Sequence, residues 1–110
     1  MKTKIFFSAL LFTLFSLSSF AADNVKEATF KISGNCGMCK SRIEKSLKIS
    51  EVKFAKWDKT TKMVTVAYIA NKISLDSLQH RVASVGHDTE KFKASDAAYN
   101  SLPECCLYRK

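Results

Sequence analysis

The stretch SGNCGMCK, residues 33–40, separates two thiols, Cys36 and Cys39, by only two residues. Gly34 and Asn35 end an apolar run typical of a strand, and apolar residues at helical spacing follow. The first turn of a helix carries unpaired N–H groups and partial positive charge, which favour thiolate over thiol. Thiolates bind soft metal ions and attack disulfides, so the stretch predicts one of these two chemistries.

The N-terminal residues are predicted to be a leader that is not part of the fold. Lys2 and Lys4 precede an apolar run over residues 5–17, and Ser19-Phe20-Ala21 fits a small-x-small cleavage site. We therefore expect a signal peptide over residues 1–21, cleavage near Ala21 and a periplasmic or secreted protein. A retained N-terminal anchor is the alternative. The apolar run is too short for a comfortable membrane span, so we expect no stable membrane anchor.

Charge and length limit the class of protein. All 10 acidic residues follow the expected cleavage site, so loss of Lys2 and Lys4 lowers the formal net charge from +8 to +6. The remaining lysines are scattered along the chain, which is typical of a solvated surface and gives no signature of nucleic-acid binding. The exported part is long enough for one small domain, and we expect a monomer.

The apolar periodicity predicts the order of elements in this domain, which we place at residues 22–93. Strands are predicted at 28–32, 52–57, 63–68 and 87–93, and helices at 38–49 and between Ser74 and Gly86. Ser74 is a plausible N-cap, and Gly86 ends the second helix. This order predicts an α+β, ferredoxin-like βαββαβ fold, in which a four-stranded antiparallel sheet carries two helices on one face.

The predicted tail, residues 94–110, contains a second pair of thiols, Cys105 and Cys106. In an exported chain they could form a disulfide, either with each other or with the first pair. A disulfide between adjacent cysteines is strained and is the least favoured of these options. They could instead complete a thiolate-rich site if the tail folds back, or act as an independent, flexible metal-capturing tail. We favour the two metal-binding interpretations.

The donor set indicates the class of metal ion. Two thiolates form a low-coordinate soft site that suits Cu(I), Ag(I) or Hg(II). Zn(II) normally needs four donors, which Cys36 and Cys39 supply only together with Cys105 and Cys106. We expect Cu(I) first. Lys40 and the helix dipole are expected to stabilise a thiolate at Cys39.

With a CxxC motif on the first strand-to-helix loop of this element order, the chain resembles the heavy-metal-associated domain family over about residues 28–93. Val64-x-Val66-x-Tyr68 and Gly86-His87 also fit the family pattern. The family includes copper metallochaperones, N-terminal domains of copper-exporting ATPases and periplasmic mercuric-ion-binding proteins. The resemblance implies that Cys36 and Cys39 are metal ligands and that the partner is a membrane metal transporter or another metal carrier. The family's buried Met before the first cysteine, which supports the loop, is replaced here by Gly34.

Two questions stay open at this point. His87 is expected in a loop facing the metal site, where it is either a packing residue, a weak third ligand or a donor to a sulfur. The function is either that of a metal-binding protein, a thiol–disulfide oxidoreductase or a partner-binding domain with oxidised cysteines. The motifs of hydrolases and group-transfer enzymes are absent from the sequence, so we expect a binding protein and no enzyme.

Overall fold

A computed structural model describes residues 23–109, so the predicted signal peptide lies outside the described residues. No helix in the described part is long and apolar enough to cross a membrane. The elements are, in chain order, β1 (Val25–Lys31), α1 (Gly37–Ser46), β2 (Val52–Trp57), β3 (Met63–Ile69), α2 (Leu75–Ser84), α3 (Asp96–Asn100) and a 3-10 turn (Glu104–Cys106).

The sheet follows from alternating apolar residues in three strands. Within residues 23–109 it has the order β1-β3-β2, and both pairings are antiparallel. Val64, the second residue of β3, pairs with Phe30 on one side and with Trp57 on the other. All three of these side chains are buried, as the period-2 pattern predicts. The central strand therefore ties β1, which leads into the CxxC stretch, to β2, which ends in Trp57.

Both predicted main helices are present, although α1 ends at Ser46, three residues before the predicted end at residue 49. In α1, Cys39, Ile43 and Leu47 at the helix's end are fully buried along one line. At the start of α2 the Ser74 hydroxyl accepts a hydrogen bond from the Ser77 N–H at 3.1 Å, which confirms the predicted N-cap. Contacts of α1 with β2 and α2 close the core beneath the sulfur-bearing loop.

The predicted fourth strand over residues 87–93 is reduced to a single bridge between Ile32 and Thr89, and the four-stranded sheet was in this respect wrong for the described residues. The reason is local hydrogen bonding in this polar segment. The Thr89 N–H donates to the Phe92 carbonyl at 2.7 Å, and the Phe92 N–H donates to the Thr89 hydroxyl at 3.0 Å. These donors are therefore used within a tight turn and do not extend a ladder.

The tail, residues 94–109, packs against the same core as the sheet and the helices. Tyr99, Leu102 and Cys106 are all buried in the hydrophobic cluster that contains Trp57. Gly86, at the end of α2, allows this approach. Its φ is +108°, and a Cβ there would lie 2.8 Å from Leu102 and 2.9 Å from the Ala98 carbonyl oxygen. Only glycine satisfies both the backbone conformation and the close contact.

Candidate metal centre

The first pair of thiols lies where the sequence predicts, at the beginning of α1. Cys36 is the N-cap residue and is partly exposed, whereas Cys39 lies in the first turn and is fully buried. Their sulfurs are 3.4 Å apart, and the Asn35 N–H donates to the Cys39 sulfur at 3.3 Å. Both cysteines are free thiols. The helix start therefore presents two reduced sulfurs, one of which is accessible from solvent.

The Trp57 ring packs against Gly34, the residue that stands where the family has a buried methionine. A Cβ on Gly34 would lie 3.1 Å from Cη2 and Cζ2 of the Trp57 ring and 3.1 Å from the Cys39 Cβ. The indole Nε1–H donates to the Ile32 carbonyl at 3.0 Å. Lys62 donates to the Gly34 carbonyl at 2.6 Å and lies over the Trp57 ring. The absent Gly34 side chain is thus compensated by a buried indole that packs directly beneath the loop.

The tail folds back and brings the second pair of thiols to the first. The Cys36 sulfur is 3.0 Å from that of Cys105 and 3.4 Å from that of Cys106. The sulfurs of Cys36, Cys39 and Cys106 all lie within 4.8 Å of one another. Cys105 and Cys106 are also free thiols; the first is exposed and the second fully buried. We call these four side chains the sulfur cluster. Of the three arrangements considered for the tail, this geometry matches the folded-back one.

Polar contacts hold the end of the tail on the domain. The Tyr108 hydroxyl donates to the Gly86 carbonyl at 2.6 Å and accepts from the Asp88 N–H at 2.7 Å. The Arg109 guanidinium pairs with Asp88 at 2.8 Å and lies over the Tyr99 ring, with its carbon 4.3 Å from the ring centroid. These contacts lie next to the 3-10 turn that carries Cys105 and Cys106. They therefore hold the two sulfurs in position.

The proton distribution in the cluster is uneven. Burial acts to raise the pKa of Cys36, but hydrogen bonds from its neighbours, including the Cys105 and Cys106 thiols, lower that pKa to about 6. The pKa of Cys105 is raised, chiefly by its hydrogen bond with Cys36. Burial, together with hydrogen bonds to the neighbouring sulfurs, raises the pKa of Cys106 strongly. At neutral pH the cluster is therefore a Cys36 thiolate that accepts hydrogen bonds from the thiols of the tail.

Lys40, which was expected to stabilise a thiolate at Cys39, makes its hydrogen bonds elsewhere. The Lys40 ammonium donates to the Glu44 carboxylate at 2.6 Å and to the Trp57 carbonyl at 2.9 Å. These acceptors draw it toward β2. Arg42, one turn after Cys39 on α1, instead places its guanidinium 3.9 Å from the Cys106 sulfur. The spacing of Arg42 from Cys39 could be read from the sequence. Its sulfur partner, Cys106, lies in the tail, and this contact could not be predicted.

His87 is fully buried and is not among the three residues whose ligand atoms group together. Its Nδ1 lies 2.8 Å from the Ser33 carbonyl oxygen, so Nδ1 carries the proton and donates it. Burial lowers the pKa of His87, which keeps the ring neutral. Among the described residues its Nε2 has no hydrogen-bond partner. The ring stacks on Tyr108 with centroids 5.6 Å apart, so His87 connects the CxxC stretch to the tail by packing.

Comparison with known proteins identifies relatives by structure. No family model and no curated protein sequence matches the chain. The N-terminal domain of a potential copper-translocating P-type ATPase from Bacillus subtilis, solved in the Cu(I)-loaded state, is 35% identical, with 66% of this chain and 92% of that chain covered and a TM-score of 0.56. A CopZ metallochaperone is 26% identical, with 58% and 98% covered and a TM-score of 0.56.

Oxidized MerP from Ralstonia metallidurans CH34 is 20% identical, with 60% of this chain and 94% of that chain covered and a TM-score of 0.56, which shows a shared fold. The aligned part of this chain is about as long as a whole relative, whereas this chain also has residues beyond it. Three observations point to the same family: the order of the elements, the paired thiols at the start of α1 and the likeness to the Bacillus subtilis domain. The chain belongs to the heavy-metal-associated domain family.

Proposed function

We propose that the protein binds a soft heavy-metal ion, Cu(I) in first place, through Cys36 and Cys39, and that it carries or sequesters this ion outside the cytoplasm. The observation that supports this most directly is the pair of free sulfurs 3.4 Å apart at the beginning of α1. One of them has a pKa of about 6 and is ready to bind a cation without first losing a proton. The Cu(I)-loaded relative supports copper as the first candidate.

The chemistry of the donors explains the preference for soft ions. Thiolate sulfur is polarisable and favours Cu(I), Ag(I) and Hg(II) over harder cations. Partial exposure of Cys36 leaves one side of the site open to an incoming thiolate from another protein. A membrane metal transporter or another metal carrier is therefore the proposed partner. Hg(II) is the alternative cargo, since the same two sulfurs suit it equally well.

A competition titration tests the proposal. The variant Cys36→Ser/Cys39→Ser is titrated anaerobically with Cu(I) against a chromophoric Cu(I) chelator, beside the unmodified protein. We expect the double variant to lose high-affinity binding. Gly37→Ala is the matched control, because a Cβ at Gly37 meets no atom within 4 Å and both thiols remain. Unchanged affinity in the double variant rejects the proposal. Parallel titrations with Ag(I), Hg(II) and Zn(II) rank the cargo.

A thiol–disulfide oxidoreductase is the second candidate, because a low-pKa thiol lies 3.0 Å from the exposed Cys105 sulfur. An insulin-reduction assay separates the two functions: a metal carrier gives no catalytic turnover, whereas an oxidoreductase does. Export is tested separately by fractionation and by mass spectrometry of the N-terminus. A mature chain beginning after Ala21 or Ala22 supports it, and an intact leader on a cytoplasmic protein contradicts it.

A further inference from the structure

The second buried sulfur of the cluster comes from the tail, about seventy residues after the CxxC pair. Cys106 is fully buried, and its sulfur is 3.4 Å from that of Cys36. It lies within 4.8 Å of both sulfurs of the CxxC pair. We propose that Cys106 is a third metal ligand, so that the soft ion of the proposed function, on which this inference rests, is held by three thiolates of one chain.

The spacing of the sulfurs suits a three-coordinate ion after a small expansion. An ion at the centre of three sulfurs, with bonds of about 2.3 Å as for zinc thiolates, needs sulfur–sulfur distances of about 4.0 Å. Cys36 lies 3.4 Å from each of the other two, so two edges must widen by about 0.6 Å. The third edge, between the Cys39 and Cys106 sulfurs, is no longer than 4.8 Å, and a small rotation of the partly exposed Cys36 side chain widens the other two.

A buried cysteine is often only a small apolar side chain, and the surroundings of Cys106 differ from that case. Its sulfur lies 3.4 Å from the sulfur of Cys36 and 3.9 Å from the Arg42 guanidinium. An apolar packing residue has no need of either neighbour. A guanidinium beside the cluster also offsets the excess negative charge of three thiolates around a monovalent ion, which would otherwise disfavour their burial.

The fold of the tail preorganises this third ligand. Leu102 packs against Gly86 before the 3-10 turn, and Tyr108 binds the Gly86 carbonyl after it. Both anchors are independent of the sulfurs. Because the protein holds Cys106 in place before any metal arrives, binding spends little free energy on ordering the chain.

Cys105 provides the natural comparison. It is adjacent in sequence, and its sulfur is even closer to Cys36, at 3.0 Å, but it is exposed and also contacts the Met38 sulfur at 3.6 Å. Solvent competes for an ion at this outer position. We therefore assign the third ligand to Cys106 and not to Cys105.

A third internal thiolate changes how the ion is released. Transfer between carriers passes through an intermediate in which a partner thiolate joins the bound ion. Here Cys106 already occupies that coordination position, so a partner must displace it. The tail therefore favours retention of the ion over rapid transfer, which places this chain nearer to sequestration than to delivery.

X-ray absorption at the copper edge tests the coordination number in the protein loaded anaerobically with one equivalent of Cu(I). We expect three sulfur ligands in the unmodified protein and in Cys105→Ser, and two in Cys106→Ser. Chelator competition should show Cu(I) affinity falling at least about tenfold in Cys106→Ser only. Loss of a residue that merely hydrogen-bonds to a metal ligand already lowers metal affinity about 10- to 100-fold, and loss of a ligand itself should cost no less.

The outcomes separate this inference from the proposed function. If the Cys36→Ser/Cys39→Ser variant still binds Cu(I) tightly, the proposed function fails. If that variant loses binding but the unmodified protein shows only two sulfurs, the third ligand alone is rejected. A loss in Cys105→Ser with none in Cys106→Ser also rejects it. Should Cys106→Ser fail to fold by circular dichroism, the sulfur count in Cys105→Ser still decides: three sulfurs support Cys106 as the third ligand, and two reject it.

Discussion

The two cysteine pairs reach the same site by different routes. Cys36 and Cys39 are brought together by one turn of helix, so their spacing alone fixes their proximity. Cys105 and Cys106 lie about seventy residues later and arrive only because the tail docks on the core. Each pair nevertheless contributes one buried and one accessible sulfur. The comparison teaches that a local motif can be extended by a distant segment into a cluster with an inner and an outer side.

The largest expected effect is on the support of the first pair. Trp57→Ala removes the buried indole beneath Gly34 and leaves a cavity, so we expect a loss of about 3–5 kcal/mol in the free energy of unfolding. Urea denaturation of the metal-free protein measures it. Phe54→Ala on the same strand is the control, because Phe54 is 50% exposed and should cost far less. Equal losses in the two variants would contradict a special role for Trp57.

The second pair depends on a different anchor. Leu102→Ala is expected to cost about 2–3 kcal/mol in the free energy of unfolding and to loosen the tail, since Leu102 is only 7% exposed. Under native conditions the Cys106 thiol should then react faster with a thiol reagent, while Cys39 stays protected. Mass spectrometry of the labelled peptides measures this. Leu107→Ala, at a residue 38% exposed, is the control. Equal labelling of both buried thiols would show that the two pairs do not open separately.

The link between the pairs is a set of hydrogen bonds to the Cys36 thiolate. Cys105→Ala removes one donor, so the pKa of Cys36 should rise from about 6 by about one pH unit, the size expected for a hydrogen bond to a charged group. The rate of Cys36 alkylation as a function of pH gives this midpoint. Cys105→Ser keeps a hydroxyl donor and should shift it less. An unshifted midpoint in Cys105→Ala would mean that the tail does not set the reactivity of the first pair.

The smallest expected effect concerns the polar anchor of the tail. Burial acts to raise the pKa of Asp88, but the Arg109 guanidinium and the Ala94 N–H hold it below its ordinary 3.8. A lowered carboxyl pKa stabilises the fold above the ordinary value, and that stabilisation is lost as pH falls through the lowered pKa. Arg109→Ala should therefore cost about 1 kcal/mol near neutral pH and progressively less below about pH 4.

Urea denaturation from neutral to strongly acidic pH measures this difference. Lys91→Ala is the matched control, because its ion pair with Asp76 joins two largely exposed side chains and should contribute little at any pH. A cost for Arg109→Ala that stays constant down to acidic pH would show that Asp88 is not its partner.

The parts of the molecule that depend on short-range patterns could be predicted from the sequence. The Ser74 cap, the buried stripe of α1 and the convergence of Cys36 and Cys39 all follow from spacing over a few residues. The folding back of the tail could only be one of three alternatives, because it depends on contacts between residues far apart in sequence. The prediction of a fourth strand failed because a polar segment such as 87–93 can form its backbone hydrogen bonds in a turn as easily as in a β-ladder.

Gly86 imposes one structural requirement on α2 and on the tail together. Any side chain there would strain a backbone at φ +108° and would also push Leu102 away from the end of α2. A chain without the tail would avoid the clash with Leu102 but would keep the strained backbone. In a chain that keeps the tail, replacing Gly86 would therefore carry both penalties and would move the tail thiols away from the CxxC loop.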